Sequence, residues 1–333
     1  MSDILVSVII ALVTFTATVL ILRKLIPVLK SKKMGQPILD IGPRWHKSKE
    51  GTPAMGGLSF IIASVAAGIG ACIYFGVTRG ARETVPFILT LAFGVVCGLI
   101  GCIDDLAKLR KKQNEGLTAK QKFALHLVAC ALYLAGLCVF CKVSTVLYIP
   151  YFDVSVDFGI GYYVIAMLLL AGIDNSVNLT DGIDGLSSSV TLVVSLFFGA
   201  AAFFSGSETN VSLAMLSAVM VGATAGFLVY NFYPAKVFMG DTGSLFLGAL
   251  VVGGAFIMNN PLIVVVAGLV YIIETASVIL QVGYFKLTHG KRLFKMAPIH
   301  HHFEKCGFSE LQIVALFAGL TVLFCVAAWF GLA

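Results

Sequence analysis

Ten long apolar runs most constrain the fold of this 333-residue chain. A helix needs about 20 apolar residues to cross a bilayer. Suitable runs lie near 3–22, 54–75, 84–103, 122–141, 159–173, 187–204, 211–230, 243–258, 262–285 and 309–331. Only 12% of the residues are charged, whereas a soluble domain carries about 25%. The sequence predicts an all-α polytopic membrane protein whose ten transmembrane helices form one domain over residues 1–333.

Basic residues are distributed unevenly between the two sets of connecting loops. The loops after odd-numbered runs hold 20 of the 23 lysines and arginines, and the opposite set holds only Arg79, Arg82 and Lys142. Because basic loops stay cytoplasmic, the odd-to-even loops are predicted to face the cytosol and both termini to lie outside. The outer segment 148–158, YIPYFDVSVDF, alternates apolar and polar residues, which predicts a small β-hairpin.

Adjacent carboxylates end the third apolar run, at the predicted cytoplasmic face. Asp104 and Asp105 repel each other at neutral pH, which favours a bound cation or a raised pKa. Lys108 lies within reach on the same helical face. A divalent metal and a base–lysine pair that handles phosphate both fit this chemistry, and a solvated helix end is the structural alternative.

A second polar segment follows the fifth run. Asn175, Asn178, Asp181 and Asp184 recur every three residues. Amide and carboxylate groups at this density can bind a nucleobase, a ribose or a hard cation. The Asp-Gly pairs alone would only indicate turns. The segment contains no lysine or arginine, so simple salt bridging explains it poorly.

Asp241 stands at the entry of the eighth run, with Asn231 ten residues earlier. Thr242 and Ser244 are candidate N-caps, and a capping role for Asp241 is the structural alternative. Even-numbered helices are predicted to begin at the cytosol, the second at Thr52-Pro53, the sixth near Ser187 and the eighth near Thr242.

Such helix N-termini bind phosphate readily. Lysines supply positive charge around them, namely Lys49, Lys108, Lys112 and Lys120. The expected ligand is therefore a cytosolic polyanion such as a nucleotide.

Three successive histidines precede the last run. His300, His301 and His302 cannot all face one point, so a compact zinc site is not expected, but one or two can contact a diphosphate or sugar while Glu304 orients one. Glu274 in the ninth run is predicted to belong to an interhelical polar seam, and Gln281 fits either a seam or a cleft wall. The eight cysteines lie mostly in apolar runs without paired ligand spacing, so we interpret them as apolar filler.

Together these motifs resemble the polyprenyl-phosphate N-acetylhexosamine-1-phosphate transferases. The resemblance covers nearly the whole chain, through KEGTPAMGG (49–57), DDLAK (104–108), NLTDGIDGL (178–186), NFYPAKVFMGDTGS (231–244) and APIHHHFE (297–304). The triple histidine is similar to the muramoyl-pentapeptide branch. Ala54 departs from the threonine that is common in the family, a change that would weaken one polar contact near the nucleotide but removes no charged group.

The resemblance implies a Mg²⁺-dependent enzyme of the bacterial inner membrane with its active site on the cytosolic face. Undecaprenyl phosphate would attack the β-phosphorus of UDP-N-acetylmuramoyl-pentapeptide, giving lipid I and UMP in the first membrane step of peptidoglycan synthesis. The lipid tail would need a lateral groove between helices. A homodimer is also implied, and no nucleic acid is expected as a partner.

The resemblance also implies roles by motif position. Asp241 would be the main Mg²⁺ ligand with Asp105 and Asn178, Asp104 the base or lipid-phosphate partner, and His300 a further catalytic group. Substrate contacts would come from Lys49, Thr52, Lys108, Lys112, Lys120, Asn175, Asn178, Asp181, Asp184, Asn231, Phe238, Gln281, His301 and His302.

Alternatives stay open at this point. Two mechanisms remain: the lipid phosphate attacks directly, or an aspartate first forms a covalent phosphosugar adduct. Direct attack is favoured because a phosphate dianion is already a competent nucleophile. An N-acetylglucosamine-1-phosphate transferase is the runner-up. A secondary transporter is less favoured, because its charges would lie near the midplane and its halves would often repeat.

Overall fold

The computed structural model describes residues 2–32, 35, 49–111, 116–206 and 208–332. Ten helices in this part of the chain are long and apolar enough to cross a membrane, as predicted. They are α1 (Asp3–Ser31), α2 (Gly57–Thr78), α3 (Val85–Lys111), α4 (Ala119–Gly136), α5 (Ile160–Thr180), α6 (Leu186–Phe204), α7 (Val211–Asn231), α8 (Gly240–Ile257), α10 (Leu269–Leu287) and α12 (Glu310–Trp329). Two shorter helices are α9 (Ile263–Ala267) and α11 (Ile299–Lys305).

Helices dominate because a backbone surrounded by lipid must satisfy its own hydrogen bonds. Several helices begin where a polar side chain caps the first turn. Thr118 and Gln121 form a reciprocal capping box at α4, and Ser309 and Gln312 form another at α12. Asn210 caps α7 through a bond from Leu213 N. These caps fix where helices begin within segments that hydropathy alone marks only approximately.

Five predicted boundaries were wrong. α3 continues to Lys111, whereas the third apolar run was predicted to end near residue 103. α1 continues to Ser31 and α5 continues to Thr180, because the polar residues that follow each apolar run also adopt helical structure. The single run at 262–285 is divided at Gly268, where the amide of Gly268 bonds back to Val264 O and ends α9. α2 begins at Gly57 rather than at Thr52-Pro53.

The predicted hairpin is confirmed. β1 (Val146–Ile149) pairs antiparallel with β2 (Val154–Asp157), in the register Val146 opposite Asp157. The Tyr151 hydroxyl at the hairpin tip donates to the carbonyl of Ala327, 2.9 Å away, near the end of α12. The hairpin therefore closes one end of the bundle.

α8 is the central helix of the bundle, and nearly all of its side chains are buried. It packs mainly against α3 and α5. Gly101 on α3 permits the closest approach, because a Cβ at this position would overlap the carbonyl of Asp241. Small residues allow this contact between helix backbones. As a result the C-terminal end of α3 lies directly beside the N-terminus of α8, and we call this end of the bundle the acidic end.

Candidate active site

Three carboxylates meet at the acidic end. Asp104, Asp105 and Asp241 each offer an oxygen, and these oxygens lie within 4.8 Å of one another. Asp104 and Asp105 are 3% and 2% exposed, whereas the side chain of Asp241 is 17% exposed. We call this group the acidic centre. Its oxygen-only donor set and its concentrated negative charge suit a hard divalent cation such as Mg²⁺.

Asp105 caps the first turn of α8 from a neighbouring helix. Its Oδ1 accepts from Asp241 N at 3.2 Å, and its Oδ2 accepts from Thr242 N at 2.9 Å and Thr242 Oγ1 at 2.7 Å. The predicted N-caps Thr242 and Ser244 are wrong in this respect, because no side chain within α8 caps it. A capping carboxylate also complements the positive end of the helix dipole.

Asp241 is surrounded by hydrogen-bond donors. Lys108 Nζ and Lys122 Nζ lie 2.9 and 2.7 Å from its Oδ2. Asn178 Nδ2 donates to its Oδ1 at 3.0 Å and to Ser244 Oγ at 2.7 Å. Because both amide hydrogens of Asn178 are used in this way, its Oδ1 is the atom left to act as a ligand. The structure thus places Asn178, a predicted metal ligand, and Lys108, a predicted substrate contact, beside Asp241.

Asp104 links the centre to the start of α4. Its Oδ1 accepts from Leu117 N at 2.7 Å, and its Oδ2 lies 2.7 Å from Lys108 Nζ. The two lysines at the centre therefore offset two of the three carboxylate charges. Positive and negative groups alternate over a few ångströms, an arrangement that can hold both a phosphate and its counter-ion.

An apolar groove opens beside the acidic centre. The cavity lies between α4, α5 and α10 and has a volume of about 960 Å³. Its apolar wall includes Phe123, Val164 and Leu168, which are 60%, 60% and 69% exposed. Its polar lining residues are Lys120, Lys122, His126, Tyr163, Asn175 and Thr275.

Lys122 joins the groove to the centre, because it lines the cavity and also binds Asp241. The lining residues on α5 extend from Ile160 to Asn175. At 1.5 Å per residue this is about 22 Å, most of the depth of a hydrocarbon core of about 30 Å. The groove matches the lateral cleft expected for a lipid tail.

A second charged cluster surrounds Lys49. Its Nζ lies 2.7 Å from Asp184 Oδ1 and 2.6 Å from Glu310 Oε2. Glu310 Oε2 also accepts from Asp184 N at 3.0 Å, and Asp184 Oδ2 accepts from Ala235 N at 2.8 Å. The segment around Asp184 contains no lysine, yet the structure pairs Asp184 with one from 135 residues away. The expectation that salt bridging plays little part in this segment was therefore wrong for Asp184.

Comparison with known proteins identifies the family. The model of the glycosyl transferase family 4 matches residues 87–259. The chain belongs to this family. It is 45% identical to a phospho-N-acetylmuramoyl-pentapeptide-transferase of Clostridium perfringens over 308 residues, which cover 92% of this chain and 93% of that protein. Proteins of the same name from Clostridioides difficile and Staphylococcus carnosus are 43% and 40% identical, over 97% and 93% of this chain and 95% and 94% of theirs.

In this family 4 transferase the three histidines have different environments. His300 is fully buried, its Nδ1 lies 3.0 Å from Glu274 Oε2, and its Nε2 abuts Gly182, where a Cβ would overlap it. His301 Nδ1 lies 2.6 Å from Glu304 Oε2, as predicted for an orienting glutamate. His300 therefore packs against the loop after α5. Glu274, which was predicted to lie in an interhelical polar seam, instead pairs with His300.

Several predicted substrate residues of the transferase support loops. Asn231 is 2% exposed, accepts from Gly185 N at 3.2 Å and donates to Val237 O at 3.0 Å. Phe238 is partly exposed, and its backbone bonds to Pro53 O and Gly56 N at 2.8 Å each. Thr52 belongs to the same segment, where its amide donates to Lys49 O. These contacts bring the 49–57 motif beside α8.

The other predicted contacts lie at the edges of the site. Lys120 and Asn175 line the groove. Gln281 accepts from the amides of Leu293 and Phe294 at 3.1 and 2.8 Å, and His302 Nδ1 accepts from Lys295 N at 3.1 Å, so both brace the loop before α11. Lys112 lies outside the described residues.

Asp181 follows α5 between the acidic centre and the Lys49 cluster. Burial raises its pKa from the ordinary value of 3.8 to about 8, and the negative charges of Asp241, Asp105 and Asp184 add to this effect. The carboxyl group is therefore mostly protonated at neutral pH until positive charge arrives beside it. A bound cation would favour its ionised form.

Sequence reasoning missed Lys122 and Glu310 as site residues. Lys122 lies in the first turn of α4 and Glu310 in the first turn of α12, and neither belongs to a motif used above. Each reaches the site only because its helix begins at the acidic end. Their charge beside a predicted helix start was the only signal available.

Proposed function

We propose that this transferase moves phospho-N-acetylmuramoyl-pentapeptide from its UDP carrier to undecaprenyl phosphate, giving lipid I and UMP. One observation carries the proposal: a carboxylate centre with two lysines lies at the inner end of an apolar groove about 22 Å long. The groove accommodates a prenyl chain and the centre accommodates phosphates. The names of the relatives supply the identity of the sugar.

The reaction joins two anions. An oxygen of the lipid phosphate bonds to the β-phosphorus of the nucleotide, the bond from that phosphorus to the bridging oxygen breaks, and UMP leaves with that oxygen. Lys108 and Lys122 concentrate positive charge at Asp241, which reduces repulsion between the two phosphates. Holding both groups at one point supplies much of the remaining rate.

Mg²⁺ fits the residues present. Asp241, the most accessible of the three carboxylates, would hold it with Asn178 Oδ1, and Asp105 is within reach of the same point. A divalent cation there would neutralise charge on the diphosphate. Asp241 must share its oxygens with the ion, so Lys108 and Lys122 become available to phosphate.

Direct attack by the lipid phosphate is supported over a covalent adduct. Both oxygens of Asp105 are engaged by the first turn of α8. Asp104 is engaged by Leu117 N and by Lys108. Neither carboxylate presents an unengaged oxygen to phosphorus, whereas a lipid phosphate, with a second pKa of about 6, arrives mostly as a dianion. Asp104 would accept the proton from the fraction of lipid phosphate that is still a monoanion.

The Lys49 cluster is proposed to bind the nucleoside end of the substrate, with Thr52 and Phe238 beside it. Lys49 already has two carboxylate partners, so it attracts an additional anion weakly. It is better suited to donate a hydrogen bond to a neutral carbonyl group. The diphosphate would then extend from this cluster to the acidic centre, past Asp181. His301 would contact the sugar-phosphate.

The acidic end is proposed to face the cytosol of a bacterial inner membrane, with both termini outside. The loops after odd-numbered spans hold 20 of the 23 basic residues, and such loops stay cytoplasmic. Asp104 and Asp241 lie at span ends that adjoin these loops. Epitopes at the termini should be reached from outside intact spheroplasts, and an epitope in the 288–297 loop should not. A homodimer is a further prediction, which light scattering in detergent would test.

Turnover by the purified protein tests the function. UMP release is measured in detergent with undecaprenyl phosphate, Mg²⁺ and either UDP-N-acetylmuramoyl-pentapeptide or UDP-N-acetylglucosamine. Release is expected with the first nucleotide only, and it should stop in Asp241→Asn. Asp153→Asn is the matched control, because Asp153 is exposed at the hairpin tip and has a positive φ that asparagine tolerates.

Two outcomes would contradict the proposal. Equal release from UDP-N-acetylglucosamine would assign the chain to the N-acetylglucosamine branch. Near-normal turnover by a folded Asp241→Asn protein would exclude the assignment of the acidic centre as the reaction site.

A further inference from the structure

Three buried side chains outside all of the motifs meet between α3, α4 and α5. Cys97, His126 and Asp174 each offer a ligand atom, and these atoms lie within 4.8 Å of one another. None of the three is more than 4% exposed. The cluster shares no residue with the acidic centre, and its donors are sulfur, nitrogen and oxygen rather than oxygen alone.

Polar atoms in this cluster are incompletely satisfied. Asp174 Oδ2 lies 3.0 Å from His126 Nδ1. His126 and Cys97 are the near neighbours of this carboxylate, but among the described residues neither oxygen of Asp174 has a partner of full hydrogen-bonding geometry, and neither has His126 Nε2. A buried carboxylate in this state is costly, and proteins usually relieve that cost by pairing it or by binding a metal.

We propose that Cys97, His126 and Asp174 bind one transition-metal ion of the Zn²⁺ class. Thiolate, imidazole and carboxylate are all zinc ligands, whereas Mg²⁺ and Ca²⁺ prefer oxygen. A Zn²⁺ ion with one thiolate, one carboxylate and one neutral imidazole has no net charge. Such a unit satisfies Asp174 without leaving an uncompensated charge inside the membrane domain.

The surroundings of the cluster differ between its α8 side and its groove side. α8 closes the opposite side, because a Cβ at Gly248 would lie 2.5 Å from Asp174 Oδ1. His126 lines the groove, so a water or small anion would reach the ion from there. Three protein ligands with an exchangeable fourth is a common zinc arrangement. The ion would join α3 to the two helices, α4 and α5, that form the groove wall.

Metal analysis of the full-length protein tests this site. The Asp241→Asn variant is used as the background, because it weakens ion binding at the acidic centre. After dialysis against micromolar Zn²⁺, mass spectrometry is expected to find about one zinc per chain. Replacement with Co²⁺ should produce a thiolate-to-cobalt charge-transfer band. Absence of retained zinc, or a cobalt spectrum without that band, would overturn the proposal.

Cysteine variants locate the metal. Cys97→Ser should remove the cobalt band and weaken zinc binding by more than the 10–100-fold that follows loss of an outer-shell partner. Cys325→Ser is the matched control, a buried cysteine on α12 whose Sγ contacts Ala267 O, and it should keep both signals. A cobalt band that persists in Cys97→Ser would refute the site. If Cys97→Ser folds poorly, the presence or absence of the band in the protein that retains Cys97 still tests the proposal.

Discussion

Asp105→Asn tests whether this carboxylate serves as the N-terminal cap of α8. Asp105 accepts three hydrogen bonds from Asp241 N, Thr242 N and Thr242 Oγ1, at 3.2, 2.9 and 2.7 Å. Asparagine has nearly the same shape, but it keeps one acceptor oxygen and turns a donor toward the amides of α8. A hydrogen bond to a charged group contributes about 1.5–3 kcal/mol, and a negative charge at a helix N-terminus about 0.3–1 kcal/mol. The free energy of unfolding should therefore fall by about 2–4 kcal/mol.

Thermal unfolding in detergent, followed by intrinsic fluorescence without Mg²⁺, measures this change. Asp241→Asn is the comparison, because the side chain of Asp241 is more exposed, at 17%, and its partners are side chains rather than the backbone amides of a helix. The Asp105 variant should melt at the lower temperature of the two. If Asp105 also binds the cation, its variant will need more Mg²⁺ for half-maximal turnover. The capping argument would be wrong if Asp105→Asn had the same melting temperature as the unsubstituted protein while Asp241→Asn had a lower one.

Three further predictions address charges at the site. Glu310 Oε2 holds both Lys49 Nζ and Asp184 N in place, so Glu310→Gln should misplace the Lys49 hydrogen bond to the nucleoside. The loss of about 1.5–3 kcal/mol should raise the KM for the nucleotide about 10–150-fold with little change in kcat, and an unchanged or lower KM would exclude a positioning role. The pKa of Asp181 is about 8 in the folded protein and 3.8 ordinarily, so between pH 4 and 8 the unfolded chain loses this proton more readily than the folded one, and Asp181 destabilises the fold increasingly as pH rises. Asp181→Asn removes this effect and should stabilise the metal-free protein progressively over the same range. Equal melting temperatures of both proteins at pH 5 and 8.5 would contradict this. Lys122→Gln should lower kcat/KM for the lipid phosphate more than Lys120→Gln does, because Lys122 contacts Asp241 whereas Lys120 is exposed, and steady-state kinetics with varied lipid would detect the difference.

Hydropathy was sufficient to predict the bundle. The ten spans and the hairpin follow from apolar length and period-two alternation, and the structure confirms both. Boundaries were less predictable, because they depend on local capping and on contacts with other helices. α5 continues through Asp174 and Asn178, although hydropathy alone ends the apolar run before these polar residues.

The acidic residues of the site were predictable from their position, but their partners were not. Asp105 is adjacent to Asp104 in sequence, yet one carboxylate contacts the amides of α8 and the other contacts Lys108 and the start of α4. The amides of α8 are more than 130 residues away from Asp105. Only the close crossing of α3 and α8 at Gly101 brings them together, and no local pattern encodes that crossing.

Charge explains why the proposed reaction would need a cation in addition to the lysines of the site. Asp104, Asp105 and Asp241 carry three negative charges, and Lys108 and Lys122 return two. Protonation of Asp181 at neutral pH avoids a fourth negative charge. The centre is therefore slightly negative before two phosphate groups arrive, and lysines alone would leave their repulsion uncompensated. Under the proposed function, these carboxylates would repel the phosphates of the substrate unless they bound a divalent cation, and their negative charge is what would attract that cation.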